Sequence, residues 1–432
     1  MQGHYQRIAL LLASAHTGAA RGLWPELIAA AQSHRCILFV LPGGRLDAVS
    51  GFEYMRNGVY RYAKASNVDA ALCWASTLSG YATESAVESF LNDTIDVPLV
   101  TFGLKIDGRP FVGIDAYSGM KALIGHFIRS HKRKHIAFIA GPRQHSSAEE
   151  RYRAYCDALK EASIPYDPRL VCLDTPWSEG RRAMLNLIDD RGLVPGKDFD
   201  ALCTSSDLLA FEAGMLLKER GIDIPSTLPI GGFNDSEESR IFSPPLTTVR
   251  MPFIRQVLSA LRLLIDMRNG NSADDILLKT KLLVRSSCGC MPQALQLAGR
   301  TRAKAPKSLP PSLIEAFGAS VASQKNNSFF EYLNKIFNED RASSSLETGI
   351  SENMMTALRF EFLSRASSRE DIDKTERLIH QAMVALGLSK ERRHEYLLWK
   401  EKEDEQKLNL FNQELLCAKD IQSIIKAAAA HL

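Results

Sequence analysis

The sequence predicts an α/β protein with two doubly wound parallel-sheet lobes, followed by an all-α C-terminal region. Short apolar runs recur along residues 1–290, and most are separated by helix-length segments with apolar residues at three- and four-residue spacing. Strands that are apolar throughout and alternate with helices indicate parallel sheets covered on both sides. About nine such runs suit two lobes better than one sheet. Beyond residue 311 the pattern is almost wholly helical.

The predicted strands are the continuous apolar runs in the first two thirds of the chain. They lie at 7–13, 36–41, 70–75, 97–103, 135–141, 169–174, 201–206, 228–233 and 281–287. The segment 207–220 is an example of an intervening helix, because its apolar residues can share one face.

Length and composition exclude several classes of protein. A chain of 432 residues is too long for one ordinary core, so two or three domains are expected. Apolar residues make up 45% and charged residues 24%, as in a soluble globular protein. The formal net charge of +3 is too small to indicate nucleic acid as the main partner.

The N-terminus has two interpretations. Arg7 followed by IALLLASA is typical of a buried strand, and it also resembles a short secretory signal peptide. No run approaches the ~18 apolar residues of a membrane span. We expect the strand and a cytoplasmic protein, with a secreted solute-binding receptor as the alternative.

The eight cysteines indicate a reducing compartment. Most lie inside apolar runs, where a free thiol acts as a small hydrophobic group. Cys288-Gly289-Cys290 resembles half of a metal site, but we find no second Cys/His pair with zinc spacing and expect neither a metal nor a cofactor.

Polar and aromatic residues recur just after the predicted strands, where open α/β sheets bind ligands. The candidates are Ser14, His16, Trp74, Ser76, Trp177, Asp207, Asn234 and Asp235. Residues such as Asp207 and Asn234 also cap helices well, and a core position is the alternative for Trp177. The chain has no phosphate-binding loop, HExxH or GxSxG motif, so we predict no catalytic residue and no enzyme activity.

Five stretches in residues 1–290 resemble the effector-binding core of the lactose-repressor/ribose-binding-protein group. They are GIDAYSGMKALIGHF (113–127), HIAFIAGP (135–142), SSAEERYRAYCDALKEASIPYDPRLV (146–171), SSDLLAFEAGMLLKERGIDIP (205–225) and GGFNDSEESRIFSPPLTTVRMP (231–252). The resemblance implies two lobes that close on a small polar ligand, sugar or nucleoside-like, and a homodimer.

The resemblance also assigns roles to single residues. Arg151 matches an arginine that reaches the ligand, and its fork of donors suits adjacent oxygens. Asp207 matches an acidic partner, and Trp177 an aromatic residue against the ligand. Asn234 stands where the family usually has its first aspartate, so the acceptor is either the amide or Asp235.

The family's hinge implies three crossings between the lobes, near 101–116, 234–249 and 268–283. Proline fixes φ and disfavours a helix before it, so the double proline at 244–245 suits an extended crossing. Lobe 1 is then about 1–113 and 247–268. Lobe 2 is about 114–243 and 276–290.

The C-terminal third is predicted to begin with a basic, proline-containing linker at 291–311. Helices are predicted at about 311–324, 327–338, 352–366, 370–386 and 390–430. Leu408, Phe411, Leu415 and Ala418 have a/d spacing, which suits either a coiled-coil signalling helix or a solvated bundle helix.

The stretches RNGVYRY (56–62) and VRSSCGC (284–290) resemble one branch of the family. These are bacterial signalling proteins that place the core ahead of an output module, commonly a GGDEF diguanylate cyclase. No GGDEF sequence is present here, and the first strand near residue 7 leaves no room for a helix-turn-helix domain. We therefore expect a cytoplasmic ligand sensor whose output module is not in this chain, with nucleic acid an unlikely partner. The alternative is a transcriptional regulator that acts through its basic linker or helical tail.

Overall fold

The computed structural model describes residues 5–15, 23–48, 50–79, 81–271, 274–291, 309–322, 328–339 and 352–417. The chain divides into two compact units, residues 1–292 and 293–432. None of the helices in the described ranges is long and apolar enough to span a membrane. His16, Ala418 and most of the predicted linker 291–311 lie outside the described residues.

The first lobe of the first unit is built on a six-stranded parallel sheet. In sheet order its strands are β11 (Ile276–Lys279), β5 (Phe111–Asp115), β4 (Leu99–Phe102), β3 (Ala70–Trp74), β1 (Gln6–Leu12) and β2 (Cys36–Pro42). Its helices are α1 (Trp24–Ser33), α2 (Ala75–Leu78), α3 (Glu84–Thr94) and α9 (Phe253–Arg268), with a 3₁₀ helix at Ser50–Tyr62. Alternate side chains of β1 enter opposite cores, Leu10 with α1 and α9 and Leu11 with α3, which explains its continuously apolar sequence.

The second lobe has a four-stranded parallel sheet. In sheet order its strands are β7 (Val171–Cys172), β6 (Ile136–Ile139), β8 (Ala201–Thr204) and β9 (Ile230–Gly231). The helices of this lobe are α4 (Ala116–His131), α5 (Ser146–Glu161), α6 (Gly180–Leu185), α7 (Asp207–Glu219) and α8 (Glu237–Ile241). Ser206 caps α7 by accepting a hydrogen bond from the Leu209 amide at 3.3 Å.

Three crossings join the lobes, as predicted. The chain passes from β5 directly into α4, from β10 (Thr248–Arg250) into α9, and from β11 into β12 (Lys281–Leu283). β10 and β12 pair as an antiparallel ribbon. A Cβ on Gly119 would lie 2.4 Å from Thr280 Oγ1, so glycine is needed where α4 passes the third crossing. The second crossing follows residue 250 and is therefore later than the predicted 234–249.

The structure corrects the strand prediction at several points. It adds β5, β10 and β11, and it shortens the runs at 169–174 and 228–233 to two-residue strands. β11 pairs with β5 in the first lobe, so the prediction that placed all of 276–290 in the second lobe is wrong for 276–279. β11 is a four-residue edge strand with Leu277 exposed, and its apolar run is only three residues long.

The second unit is helical in its described residues. Its helices are α10 (Pro311–Ala322), α11 (Ser328–Glu339), α12 (Glu352–Arg365) and α13 (Arg369–Cys417). It has its own core, in which the Phe317 ring lies 4.8 Å from Phe329 and 4.7 Å from Phe362. The two helices predicted at 370–386 and 390–430 are one helix as far as 417. Leu408, Phe411 and Leu415 lie on α13, and the coiled coil stays a prediction.

Asp235 connects both strands of the hinge ribbon. Its side chain is 2% exposed and pairs with Arg285 at 2.5 Å, Arg250 at 2.6 Å and Arg240 at 3.6 Å. Burial alone would raise the pKa of Asp235, but the hydrogen bonds and charges of Arg285 and Arg250 together lower it below its usual value. The carboxylate therefore stays ionised and holds the ribbon to the second lobe.

We expect Asp235→Asn to lower the free energy of unfolding by about 3 kcal/mol, because it leaves Arg285, Arg250 and Arg240 without their buried counter-charge. The matched control is Asp189→Asn, which removes an exposed pair with Arg220 and should cost less than about 1 kcal/mol. Urea unfolding measures both. Equal losses in the two variants would contradict the role given to Asp235.

Candidate functional site

Arg151 is the centre of a polar wall on the second lobe, which also contains Trp177, His145, Ser205 and Asn234. It lies on α5 and is only 4% exposed. Its Nη1 donates to the Ser205 carbonyl at 2.6 Å, and its Nη2 lies 3.4 Å from Met251 Sδ. The guanidinium carbon lies 4.0 Å from the Phe233 ring centroid. Burial lowers the pKa of Arg151 to about 10, so the side chain remains charged at neutral pH.

Trp177 and His145 flank this arginine. The indole follows β7, is half-buried, and lies 5.9 Å from the Arg151 guanidinium carbon. The His145 ring meets it edge-on at 5.4 Å. A Cβ on Gly141 would come within 2.4 Å of the indole, so glycine is required there. Trp177 thus packs on the second-lobe core and also faces the arginine. The structure is therefore compatible with a core residue and with an aromatic residue against a ligand.

Four buried polar atoms of this wall have no hydrogen-bond partner among the described residues. They are His145 Nδ1, Arg151 Nε, Ser205 Oγ and Asn234 Oδ1. His145, Ser205 and Asn234 follow the carboxyl ends of β6, β8 and β9, and Arg151 is on the helix after β6. An unsatisfied buried polar group costs about 1–3 kcal/mol, so a ligand that satisfied several of them would bind strongly.

His145 and Ser205 were missed by the sequence analysis. His145 lies four residues after the predicted strand 135–141, and Ser205 lies next to the last residue of the predicted strand 201–206. A strand-end rule that included these neighbouring residues would also have selected both. Burial lowers the pKa of His145 to about 4, with the Arg151 charge acting in the same direction. The ring is half-buried overall, but its Nδ1 is fully buried, and we therefore treat it as a neutral imidazole at neutral pH.

Asp207 is fully buried, and protein donors occupy both of its oxygens. Oδ1 accepts from Thr248 Oγ1 at 2.6 Å, and Oδ2 accepts from the Ser236 amide at 2.8 Å and from Ser236 Oγ at 3.3 Å. Burial raises its pKa to about 6, and the hydrogen bonds from Thr248 and Ser236 oppose that rise. Asp207 thus connects α7 to the hinge strand β10.

Asn234 and Asp235 divide the roles that the sequence left open between them. Both have left-handed φ, at 122° and 59°. The Asn234 backbone amide donates to the Val249 carbonyl at 2.9 Å. The side-chain oxygen of Asn234 is buried and has no protein donor in the described chain. Asp235 is already engaged by arginines. Asn234 is therefore the available acceptor at this strand end.

The first-lobe candidates are less closely assembled. Trp74 is buried in the core, with its ring 5.6 Å from Phe102 and 5.7 Å from Phe253. Ser14 and Ser76 are half-buried at the ends of β1 and β3. Thr101 Oγ1, on β4, is another buried polar atom without a partner in the described residues. The lobes meet where the Ser146 amide donates to Glu84 Oε1 at 2.7 Å.

Asp207 and His145 should give opposite pH dependences. A raised carboxyl pKa makes Asp207 contribute less to stability as pH rises from about 4 to about 6. A lowered imidazole pKa makes His145 favour folding more as pH rises from about 4 to about 6.5. The difference in unfolding free energy between wild type and Asp207→Asn should fall by about 3 kcal/mol over its range, and that for His145→Gln should rise by about 3 kcal/mol. Urea titrations at pH 4, 5, 6 and 7 test this; two differences of the same sign would contradict it.

Comparison with known proteins identifies the core. Residues 124–288 match the periplasmic binding protein-like domain family. The HTH-type transcriptional regulator CelR of Thermobifida fusca is 30% identical over 267 residues, which is 60% of this chain and 73% of CelR. The HTH-type transcriptional regulator GalR of Escherichia coli strain K12 is 33% identical over 142 residues, 33% of this chain and 40% of GalR. The structure of the transcriptional regulator CelR–cellobiose complex has a TM-score of 0.53 at 26% identity and covers 65% of this chain and 84% of that one.

These relatives bear on the functional predictions. They are transcriptional regulators and not enzymes, in agreement with the sequence-based expectation. They support the alternative prediction, a transcriptional regulator, better than the prediction of a diguanylate cyclase sensor. They do not support the expectation that nucleic acid is an unlikely partner. With the two parallel-sheet lobes and the three-crossing hinge, they confirm the resemblance drawn from the sequence. The chain belongs to the lactose-repressor-like family, whose members share the periplasmic-binding-protein-like core.

Proposed function

We propose that this chain is a carbohydrate-responsive regulator of transcription that acts in the cytoplasm and binds a sugar between its two lobes. The observation that supports the ligand class is the Arg151 wall, in which a buried guanidinium lies over an indole ring and three other residues have buried polar atoms without a partner in the described chain. A sugar offers adjacent hydroxyls to the polar atoms and an apolar C–H face to the aromatic ring.

The charges favour a neutral ligand. Arg151 is the cation of the wall, and its Nη1 is already bonded to a carbonyl. The carboxylates of Asp207 and Asp235 lie on the hinge side and are occupied by protein donors. His145 is uncharged at neutral pH because its pKa is about 4. Hydroxyl groups can both donate to and accept from this set, whereas an ionised carboxylate can only accept. The CelR relative was solved with cellobiose, so a disaccharide is a suitable first probe.

The hinge supplies a route for the signal. A ligand shifts the lobes only by its different affinity for the open and closed arrangements. The third crossing leads through β12 to residues 286–291, the last described residues of the first unit. Closure should therefore displace the segment from which the second unit begins. In a homodimer, which the family implies, this would change the spacing of paired elements.

A second candidate function follows from the helical second unit. The CelR structure covers 65% of this chain, about the share that the first unit takes, and α10–α13 have a separate core. A ligand sensor whose helices act on a partner protein accounts for that unit as well as a DNA-binding tail does.

Sugar binding is tested by thermal shift with cellobiose, other disaccharides, monosaccharides and nucleosides. At a hundred times its dissociation constant, the ligand should add about 2.7 kcal/mol of stability. We expect Arg151→Met to weaken binding at least about ten-fold. Arg153→Met, which removes an exposed arginine on the same helix, should bind like wild type. Trp177 fluorescence should change on binding.

The contrary outcomes are distinct. Hits that persist unchanged in Arg151→Met would overturn the site, and nucleosides as the only hits would overturn the carbohydrate class. If Arg151→Met lowers stability, Trp177→Phe offers a milder test of the same surface.

If the chain regulates transcription, the full-length protein should bind DNA. Retention on DNA should fall steeply with salt, because each neutralised phosphate releases counterions. Fluorescence anisotropy of labelled genomic fragments at 50 and 200 mM salt, with and without the sugar, is the measurement. DNA retention that is absent at low salt would favour the partner-protein function and leave the sugar site intact.

A further inference from the structure

A cluster of two histidines and two cysteines lies on the second lobe, outside the Arg151 wall. His126 and His131 are on α4, and Cys288 and Cys290 follow β12. Cys288 is 1% exposed and the other three are half-buried. One ligand atom from each residue lies within 4.8 Å of the other three.

The distances within the cluster are those of a tetrahedral site. His126 Nε2 lies 3.5 Å from Cys288 Sγ, 3.6 Å from Cys290 Sγ and 3.2 Å from His131 Nε2, and His131 Nε2 lies 3.3 Å from Cys290 Sγ. Zinc binds sulfur at about 2.3 Å and nitrogen at about 2.0 Å, which gives tetrahedral edges of about 3.5 Å between S and N and about 3.3 Å between two N atoms. The four distances in the structure agree with those values within a few tenths of an ångström.

Local backbone geometry brings the four side chains together. Gly289 has φ of 93° and turns the chain between the two thiols. Its nearest neighbour where a Cβ would stand is His131 Cε1 at 3.8 Å. His131 is the last residue of α4, and the helix ends at Lys132 in the left-handed conformation. Both imidazoles direct Nε2 toward the thiols, and their rings are nearly perpendicular, at 84°.

The expectation that the Cys288–Cys290 pair has no zinc-spaced partner is wrong. His126 and His131 are separated by four residues, which falls within the H-x₃₋₅-H spacing of zinc sites. The pair precedes the cysteines by more than 150 residues. Only the folding of the third crossing back onto α4 joins the two halves.

We propose that His126, His131, Cys288 and Cys290 bind one zinc ion in a structural site. Four protein ligands fill the tetrahedron and leave no position for water or substrate, which distinguishes this site from a catalytic one. Two thiolates and two imidazoles suit zinc better than magnesium or calcium, which prefer oxygen ligands. Binding deprotonates both thiols and releases two protons.

The location assigns the site a specific role. Zinc would fasten residues 288–290, at the C-terminal end of the first unit, to the C-terminal end of α4. A segment held in this way moves with the second lobe as a rigid body when the hinge closes. The site thus anchors the chain where it leaves the sensor core.

The test is metal analysis of the full chain, purified with Zn²⁺ under reducing conditions and then freed of excess metal. We expect about one zinc per chain, with an X-ray absorption fit of two sulfurs at about 2.3 Å and two nitrogens at about 2.0 Å. Replacement by Co²⁺ should give the intense visible bands of a tetrahedral thiolate site. These wild-type spectra identify the ligands without any variant.

Variants assign the ligands to residues. His126→Asn, His131→Asn and Cys290→Ser should each lower zinc retention at least about ten-fold against a competing chelator. His135→Asn and Cys156→Ser are the matched controls, an exposed histidine beyond α4 and a half-buried thiol on α5, and both should retain zinc.

Three results would overturn the proposal: no stoichiometric Zn²⁺ or Co²⁺ binding by the reduced wild type, a spectrum without sulfur ligands, or retention that is unchanged in the ligand variants. A Cys288–Cys290 disulfide in the purified chain, with no metal uptake after reduction, would make the pair a redox site instead.

Discussion

The pairing of Asp235 with Arg250 and Arg285 is the constraint on which the geometry of the first unit depends. Arg250 belongs to β10 and Arg285 follows β12, so one buried carboxylate holds both strands of the ribbon that joins the lobes. Arg285 also donates to the Leu246 carbonyl at 3.0 Å and Ser239 Oγ at 3.1 Å. A buried ion pair adds little net stability, but it strongly penalises any arrangement that leaves a charge unpaired. The observed register, with Thr248 opposite Leu283 and Arg250 opposite Lys281, is the one in which both arginines reach Asp235.

This constraint determines which polar groups remain available to the proposed ligand. Asp235 is neutralised by arginines, and Asp207 accepts hydrogen bonds from Thr248 and Ser236. Neither acid is then free to bind a sugar directly, although the family resemblance indicates acids at these positions. The wall is left with Arg151, His145, Ser205 and Asn234, each of which has a buried polar atom without a hydrogen-bond partner in the described part of the chain. Asp207 and Asp235 therefore stabilise the fold. The groups left to line the cleft are neutral dipoles and the Arg151 cation.

The Cys/His cluster lies at a second point where the chain after β12 is attached to the second lobe. Ser287 Oγ donates to the Ile230 carbonyl at 2.6 Å and accepts from the Thr247 amide at 2.8 Å, which ties the chain after β12 to the sheet. The four proposed zinc ligands lie on the next residues and on α4, and a bound ion would fix these two segments together. With zinc bound, the third crossing would be anchored twice within five residues, first through a hydroxyl and then through thiols and imidazoles.

The sequence by itself determined the two parallel-sheet lobes and the helical second unit, because continuously apolar strands and helical periodicity are local signals. It also selected Arg151, Trp177 and Asn234, since strand ends and motif order can be read along the chain. Tertiary structure decided what the sequence could not. β11 joins the first lobe through pairing with β5, a contact across more than 150 residues that its exposed edge sequence does not reveal. The division of labour between Asn234 and Asp235 depends on arginines that lie up to 50 residues away. The Cys/His cluster joins two segments that are separated in sequence by about the length of the second lobe, and only the third crossing brings them together. Each of these follows from non-local packing, which residue patterns encode only weakly.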